Sequence, residues 1–151
     1  KPSRRHSQDA RQTMAKKDAA AAAKRILLVD DDAEIIESLR LALEAEKFEV
    51  LIARDGNQGL ALIERESPDL VILDMMMPKR SGFLVMDKLK GQKAFKMPRV
   101  IMISGQSGRR HEAWAQSQGV DDYISKPISP EQLFDAITRH LVKRFNGKDG
   151  R

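Results

Sequence analysis

The stretch Ile26-Leu27-Leu28-Val29-Asp30-Asp31-Asp32 joins an apolar run directly to three carboxylates, and this pattern decides the fold. Short, nearly continuous apolar runs are typical of parallel strands that are buried on both faces. Open α/β sheets place their chemistry at the carboxyl ends of such strands, so polar groups that follow them are expected to share one crevice. Three further runs end in the same way, at Asp74 after residues 70–73, at Ser104 after residues 100–103, and at Lys126-Pro127 after Tyr123-Ile124-Ser125.

Strand and helix patterns alternate from Arg25 onward. The first helix has Ile35, Ile36, Leu39 and Leu43 on one face with a 3.6-residue period. Five strand–helix units predict an α/β fold with a five-stranded parallel sheet of order 2-1-3-4-5, a flavodoxin-like (βα)5 three-layer sandwich. Strands are predicted near 25–30, 48–53, 69–74, 98–104 and 120–125, and helices near 33–46, 56–66, 82–91, 107–118 and 130–145.

Composition and charge limit the classes of function. The 151-residue chain has no cysteine, which excludes disulfides, thiolate zinc sites and thiol catalysis. No apolar stretch approaches the roughly 18 residues needed to cross a membrane, so a soluble, cytoplasmic protein is expected. The net charge is +5, but residues 1–25 carry eight Lys/Arg against Asp9 and Asp18. The other 126 residues therefore have a net charge of −1, which argues against a nucleic-acid partner.

The same patterns divide the chain into three parts. Residues 1–24 are polar and alanine-rich without apolar periodicity, so a disordered or linker tail is expected, in part vector-derived as an open alternative. Residues 25–145 are expected to form one globular domain, and residues 146–151 a polar C-terminal stub. Because the chain begins with Lys1, a fragment of a longer protein stays open as well.

The two groups of aspartates point to a cation and a phosphoryl group. Adjacent carboxylates in one turn repel each other, and oxygen ligands without His or Cys favour Mg²⁺ or Mn²⁺. Asp32 can instead cap the following helix, and a capped turn without metal is the alternative for the whole triplet. A carboxylate such as Asp74 is also an attested nucleophile toward phosphoryl groups, whereas the alternative is a strand-terminal aspartate that caps a turn.

Ser104 and Lys126 complete the set. A hydroxyl can bond a phosphoryl oxygen, and an ammonium supplies a point charge for phosphate. Taken alone, Ser104 is more simply explained as a serine in a turn, and Lys126 as a lysine on the surface. The hypothesis of one site rests on the conjunction, because all four features fall at the carboxyl ends of predicted strands.

Residues 25–145 resemble a response-regulator receiver domain, the phosphoacceptor module of two-component signalling, of the chemotaxis-regulator type. The stretches Ile-Leu-Leu-Val-Asp-Asp-Asp, Pro-Asp-Leu-Val-Ile-Leu-Asp-Met-Met-Met-Pro and Asp-Asp-Tyr-Ile-Ser-Lys-Pro carry the resemblance. It implies that Asp74 is phosphorylated, and that Mg²⁺, with Mn²⁺ as a substitute, is held by Asp30, Asp31, Asp74 and the backbone carbonyl of Met76. Asp32 matches no required ligand.

The resemblance also implies a switch and its partners. Ser104 is the switch hydroxyl, Tyr123 the switch aromatic, and Lys126 the group that grips the phosphoryl oxygens. Phosphorylation by a sensor histidine kinase or a histidine phosphotransfer protein then changes the surface of helix 4, strand 5 and helix 5, with homodimer formation as a common outcome. Met76 and Gln106 flank the site and tune the loss of phosphate, and neither has a carboxylate to orient water, so autodephosphorylation is expected to be modest.

Two other classes of protein stay open on the sequence. A metal-dependent phosphohydrolase with Asp74 as nucleophile would be an enzyme, whereas a receiver catalyses only its own phosphotransfer and dephosphorylation. Such hydrolases generally need a second acid where this chain has Met76. A receiver-like interaction module that works without phosphorylation usually lacks an acid or the lysine, and this chain has all of them. Trp114 is either an exposed anchor on helix 4 or part of the core.

Overall fold

The computed structural model describes residues 24–77, 81–91, 97–105 and 109–142. Five strands form one parallel sheet in the order β2-β1-β3-β4-β5, which confirms the predicted topology. The strands are β1 (Arg25–Val29), β2 (Glu49–Ala53), β3 (Leu70–Asp74), β4 (Arg99–Ser104) and β5 (Asp122–Ser125). The helices are α1 (Ala33–Ala45), α2 (Gly56–Glu66), α3 (Gly82–Gly91), α4 (Arg109–Ser117) and α5 (Pro130–Ile137), which continues as a π-helical stretch, Thr138–Val142.

Two hydrophobic layers cover the sheet, one on each face. Alternate residues of β1 enter different layers, since Leu27 and Val29 pack on one side while Ile26 and Leu28 pack on the other. The first layer is completed by buried residues of α2, α3 and α4, and the second by those of α1 and α5. The central strand β3 is buried along its whole length, which explains why its sequence reads as an unbroken apolar run. The result is the expected three-layer sandwich.

Side-chain caps fix where the helices begin. The Asp32 carboxylate accepts hydrogen bonds from the backbone N–H groups of Glu34 and Ile35, at 2.9 and 3.3 Å, so Asp32 is the N-cap of α1. Ser129 caps α5 in the same way through the N–H of Gln132, and proline follows it in the first turn. The α1 cap therefore lies directly beside Asp30 and Asp31 at the end of β1.

Most of the described element ends agree with the predicted ones to within one residue, and two differ by more. Strand β5 begins at Asp122 rather than at residue 120, because Gly119 has a φ of 89° and the N–H of Val100 donates to the Asp121 carboxylate rather than to a backbone carbonyl. The last helix is α-helical only to Ile137. The predicted tail up to residue 23, the end of the last predicted helix and the stub from residue 146 lie outside the described residues. Within those residues, no helix is both long and apolar enough to cross a membrane.

Candidate functional site

The carboxyl ends of four strands bring the predicted polar groups together. Strands β1 and β3 are neighbours in register, with Val29 opposite Leu73, so Asp30 and Asp74 emerge side by side from adjacent strands. Strands β4 and β5 follow, with Ser104 opposite Ser125 at their ends. The backbone N–H of Lys126 donates to the Ser104 carbonyl at 2.7 Å, which holds the start of the β5–α5 loop against β4.

Three carboxylates form the acidic part of the site. Asp30, Asp31 and Asp74 each offer an oxygen, and these atoms all lie within 4.8 Å of one another. Asp30 and Asp74 are only 3% exposed, whereas Asp31 faces solvent. Holding three like charges so close is unfavourable unless a cation or a proton compensates them. Asp32 is engaged in capping, so the cluster comprises three of the four candidate aspartates.

One oxygen of Asp30 fits a cation directly. Its Oδ1 accepts the N–H of Asp32 at 2.9 Å, but its buried Oδ2 has no hydrogen-bond partner among the described residues. Lys126 Nζ does lie 3.3 Å from this oxygen, as an ion-pair contact without hydrogen-bond geometry. An ammonium at this distance offsets only part of the cost of burying this carboxylate oxygen. An oxygen-lined acidic cluster of this kind suits Mg²⁺, which prefers carboxylate ligands.

Lys126 supplies the positive charge of the site. Its Nζ lies 3.3 Å from Asp30 Oδ2 and 3.5 Å from Asp74 Oδ1, with the side chain 22% exposed. Burial lowers the pKa of the Lys126 ammonium, but the charges of Asp30 and Asp74 outweigh that effect and raise its pKa above the usual value. The ammonium therefore stays charged at neutral pH.

The negative charge of Asp74 is only partly neutralised by Lys126. Burial, followed by repulsion from Asp30, raises the pKa of the Asp74 carboxyl to about 6, although Lys126 and the backbone N–H of Met76 oppose this shift. One ammonium is shared between two buried carboxylates, so it cannot neutralise both. An additional cation at the cluster is the physical remedy, since an opposite charge within a few ångströms favours the ionised carboxylate.

The turn that follows Asp74 is held on two sides. The N–H of Met75 donates to the Ile103 carbonyl at 2.9 Å, and the N–H of Gly82 donates to the Met75 carbonyl at 2.8 Å. A Cβ atom on Gly82 would lie 2.5 Å from the Asp74 carbonyl oxygen, closer than real Cβ contacts allow. This close approach to the backbone of Asp74 had no signal in the sequence beyond the glycine itself.

The remaining predicted residues lie around this centre. Ser104 is fully buried at the end of β4, and Tyr123 is half-buried and packs against the first hydrophobic layer. Trp114 is likewise half-buried against that layer, which favours core packing over an exposed anchor. Met76 is 56% exposed. Gln106 lies outside the described residues.

Comparison with known proteins gives the family of this fold and site. Residues 26–138 match the model of the response regulator receiver domain. The chain belongs to this family. Receiver domains are the signalling phosphoacceptors of two-component systems, they bind Mg²⁺ at an acidic pocket, and their general partner is a histidine kinase. The family match does not favour a module that works without phosphorylation.

Individual relatives agree with the family match. The chain is 39% identical over 120 residues to the transcriptional regulatory protein CpxR of Klebsiella pneumoniae, covering 80% of this chain and 50% of that protein. It thus spans about half the length of this curated relative. Two solved structures share the fold. A CheY-like receiver domain protein of Methanospirillum hungatei has a TM-score of 0.75 at 34% identity, with 83% and 98% of the two chains covered. The receiver domain of a Syntrophus aciditrophicus histidine kinase has a TM-score of 0.74 at 28% identity, with 85% and 98% covered.

An apolar groove adjoins the acidic site of this receiver domain. It has a volume of about 440 Å³ and lies between α1 and the loop from β5 to α5. Lys126 lines both the groove and the site, so whatever occupies the groove lies next to the carboxylates. The sequence did not predict the groove, because the periodicity of α1 placed Ile35 with the core residues, whereas Ile35 is only half-buried. The lining residues are Glu34, Ile35, Ser38, Leu39, Lys126, Pro127 and Ile128.

Proposed function

We propose that this receiver domain accepts a phosphoryl group on Asp74 in a Mg²⁺-dependent reaction. The observation that carries the proposal is the cluster of Asp30, Asp31 and Asp74 with Lys126 Nζ 3.3 and 3.5 Å from two of its carboxylates. A nucleophilic carboxylate, two further oxygen ligands and one ammonium are the groups that phosphoryl transfer to an aspartate needs.

Asp74 acts as the nucleophile in this proposal. One of its carboxylate oxygens attacks phosphorus, the bond between phosphorus and the donor's nitrogen or oxygen breaks, and an acyl phosphate forms on Asp74. Lys126 lies close enough to Asp74 to neutralise part of the charge on the transferred group. Asp30, Asp31, Asp74 and the backbone carbonyl of Met76 would hold Mg²⁺, which when bound supplies further neutralisation of the phosphoryl oxygens.

In the same proposal, Ser104 and Tyr123 transmit phosphorylation of Asp74 to the surface of the domain. A phosphoryl group on Asp74 draws the Ser104 hydroxyl toward it, and the space vacated admits a different rotamer of Tyr123. Tyr123 packs against the layer that also contains α4 residues, so its rotamer biases the surface formed by α4, β5 and α5. Homodimer formation through this surface on phosphorylation is part of the proposal.

Water later attacks the acyl phosphate and resets the domain. Met76 and Gln106 flank Asp74 and Ser104 in sequence, and neither side chain is a carboxylate that could orient this water. We therefore expect modest autodephosphorylation. A Met76→Asp variant should lose phosphate faster, and a variant that reset no faster would count against this role of Met76.

The phosphodonor, a sensor histidine kinase or a histidine phosphotransfer protein, docks in the groove beside Lys126. Its phosphohistidine has to reach Asp74, and the groove is an apolar surface that shares Lys126 with the site. The groove exposes mostly apolar side chains, with Glu34 and Lys126 among its lining residues. An apolar face of a donor helix fits such a surface.

Intact-mass spectrometry after incubation with acetyl phosphate and Mg²⁺ tests the proposal. We expect one added phosphate, lost when EDTA removes the metal and absent in an Asp74→Asn variant. Asp69→Asn is the matched control, since Asp69 lies at the opposite end of the same strand region and bonds the N–H of Arg25. An adduct that persists in Asp74→Asn, or no adduct in the unaltered chain, would contradict the proposal.

A further inference from the structure

Met76 has the most exposed side chain among the methionines that the structure describes. It is 56% exposed, and Met97 follows at 38%. Met77 is half-buried, and the remaining three, Met75, Met86 and Met102, are fully buried. Susceptibility to oxidation follows the exposure of the sulfur atom, because an oxidant has to reach it from solvent. Met76 is therefore the described methionine that solvent oxidants reach most readily.

The exposed sulfur is attached to a backbone segment that is fixed beside the site. The backbone N–H of Met76 hydrogen-bonds to the Asp74 carboxylate. The preceding residue, Met75, is held by its own N–H to Ile103 and by its carbonyl to Gly82. A chemical change in the Met76 side chain thus takes place two residues from the proposed nucleophile, on a backbone that cannot easily move away.

We propose that Met76 is a redox modification site, at which a peroxide converts the thioether to a sulfoxide that shortens the lifetime of the phosphoryl group on Asp74. This inference rests on the proposed phosphorylation of Asp74. The sulfur lone pair attacks one oxygen of the peroxide, the O–O bond breaks, and that oxygen stays on sulfur. The other oxygen leaves with its proton and one transferred proton as water. Sulfur is oxidised by two electrons and the peroxide is reduced.

The sulfoxide differs from the thioether in its strength as a hydrogen-bond acceptor. A thioether sulfur is a weak hydrogen-bond acceptor, whereas the sulfoxide oxygen is strongly polar. In this proposal the sulfoxide oxygen, carried two residues after Asp74, accepts a hydrogen bond from water and orients it for attack on phosphorus. A single hydrogen bond of ordinary net strength corresponds to about a fivefold change in rate. Phosphate should therefore be lost about five times faster from the oxidised domain.

The experiment uses the full chain treated briefly with hydrogen peroxide and then labelled with acetyl phosphate and Mg²⁺. Peptide mass spectrometry locates the added oxygen, and the decay of the phosphorylated intact mass gives the lifetime. Met76→Leu removes the sulfur, and Met76→Gln offers an amide oxygen at the same place without oxidation. Met97→Leu is the matched control, because Met97 is the next most exposed methionine and lies in a different pocket, beside Arg99 and Gly119.

We expect Met76 to be oxidised ahead of Met75 and Met86, with about a fivefold shorter lifetime that methionine sulfoxide reductases restore. Peroxide should leave the lifetime of Met76→Leu unchanged but shorten that of Met97→Leu. Oxidation that spares Met76, or a labelled and oxidised protein with an unchanged lifetime, overturns this inference alone. If acetyl phosphate labels no untreated protein, the proposed function fails first and this inference fails with it.

Discussion

Lys126 Nζ lies 3.5 Å from Asp74 Oδ1, although Asp74 ends β3 and Lys126 follows β5, two strands that are not adjacent. The parallel sheet produces this contact, because β3 and β5 flank β4 and all three end at the same edge. The ammonium also reaches Asp30 at 3.3 Å. The site thus has a fixed positive charge against three carboxylates, and this imbalance determines its chemistry.

Replacing Lys126 by methionine keeps the apolar stem and removes the charge. The rate of labelling by acetyl phosphate should fall on the order of a hundredfold, because a preorganised charge at the transferred group is lost. The free energy of unfolding should fall by about 1 to 3 kcal/mol, since two buried carboxylates lose their counter-charge. Labelling kinetics and urea unfolding measure the two effects. Lys88→Met, on the exposed face of α3, is the control, and an equal loss of labelling there would contradict this role of Lys126.

The raised pKa of Asp74, about 6, predicts an unusual dependence of stability on pH. An acid whose pKa is higher in the folded than in the unfolded chain binds its proton more tightly when folded. The contribution of Asp74 to stability therefore grows as the pH falls from about 6 toward 3.8, the ordinary pKa of an aspartate. Without Mg²⁺, the unfolding free energy of the unaltered chain minus that of Asp74→Asn should rise by about 2 to 3 kcal/mol between pH 7 and pH 4. Urea unfolding across this range measures the difference. A flat or falling difference would show that Asp74 is not destabilised as a buried anion.

Gly82 offers a test of how the turn after Asp74 is positioned. Gly82→Ala places a Cβ 2.5 Å from the Asp74 carbonyl oxygen, so the backbone has to shift. We expect a loss of about 1 to 3 kcal/mol in stability and slower labelling of Asp74 in the molecules that remain folded. Gly91→Ala is the matched control at the other end of α3, where a Cβ meets nothing within 4 Å. It should be neutral or stabilising by up to about 1 kcal/mol. Equal effects of the two variants would refute the close approach.

A variant in the groove should affect phosphorylation by a protein donor but not by a small-molecule donor. Ile35→Glu puts a charge into the apolar groove, so transfer from a histidine kinase that labels the unaltered chain should fall at least about tenfold, whereas labelling by acetyl phosphate should be unchanged. Leu41→Glu is the control, because Leu41 is 56% exposed on the same helix but does not line the groove. Parallel kinetics with both donors measure the effect. If Ile35→Glu slows both donors alike, the groove is not the docking surface.

The number of strands and the sheet edge that carries the candidate site could be predicted from the sequence because both depend on local pattern, whereas the strand order was predicted from the order common to five-stranded doubly wound sheets. Apolar runs such as residues 70–73 are long enough to identify buried strands, and the polar residue after each run marks the carboxyl edge. The cap at Asp32 followed from residue type and its place before the apolar periodicity of α1. These features require no knowledge of how distant parts of the chain pack.

The features that the sequence did not give depend on packing between distant segments. Asp30 and Asp31 are neighbouring residues of the same type, so the sequence does not distinguish them. In the structure Asp30 is buried and Asp31 is exposed, because only Asp30 extends the β1 ladder through its N–H to the carbonyl of Ala53. The late start of β5 follows from the contact of Asp121 with Val100. Ile35 belongs to the apolar face of α1, but its partial exposure depends on how far the β5–α5 loop covers that helix.

The most direct test of the central claim locates the phosphate on the chain itself. The unaltered protein is labelled with acetyl phosphate and Mg²⁺, reduced with borohydride, which converts an aspartyl phosphate to homoserine, and then sequenced by peptide mass spectrometry. We predict homoserine at position 74, absent when EDTA replaces Mg²⁺, with Asp30 and Asp31 unchanged. Homoserine at position 30 or 31, or at position 74 with equal yield in EDTA, would contradict the assignment of Asp74 as the metal-dependent phosphoacceptor.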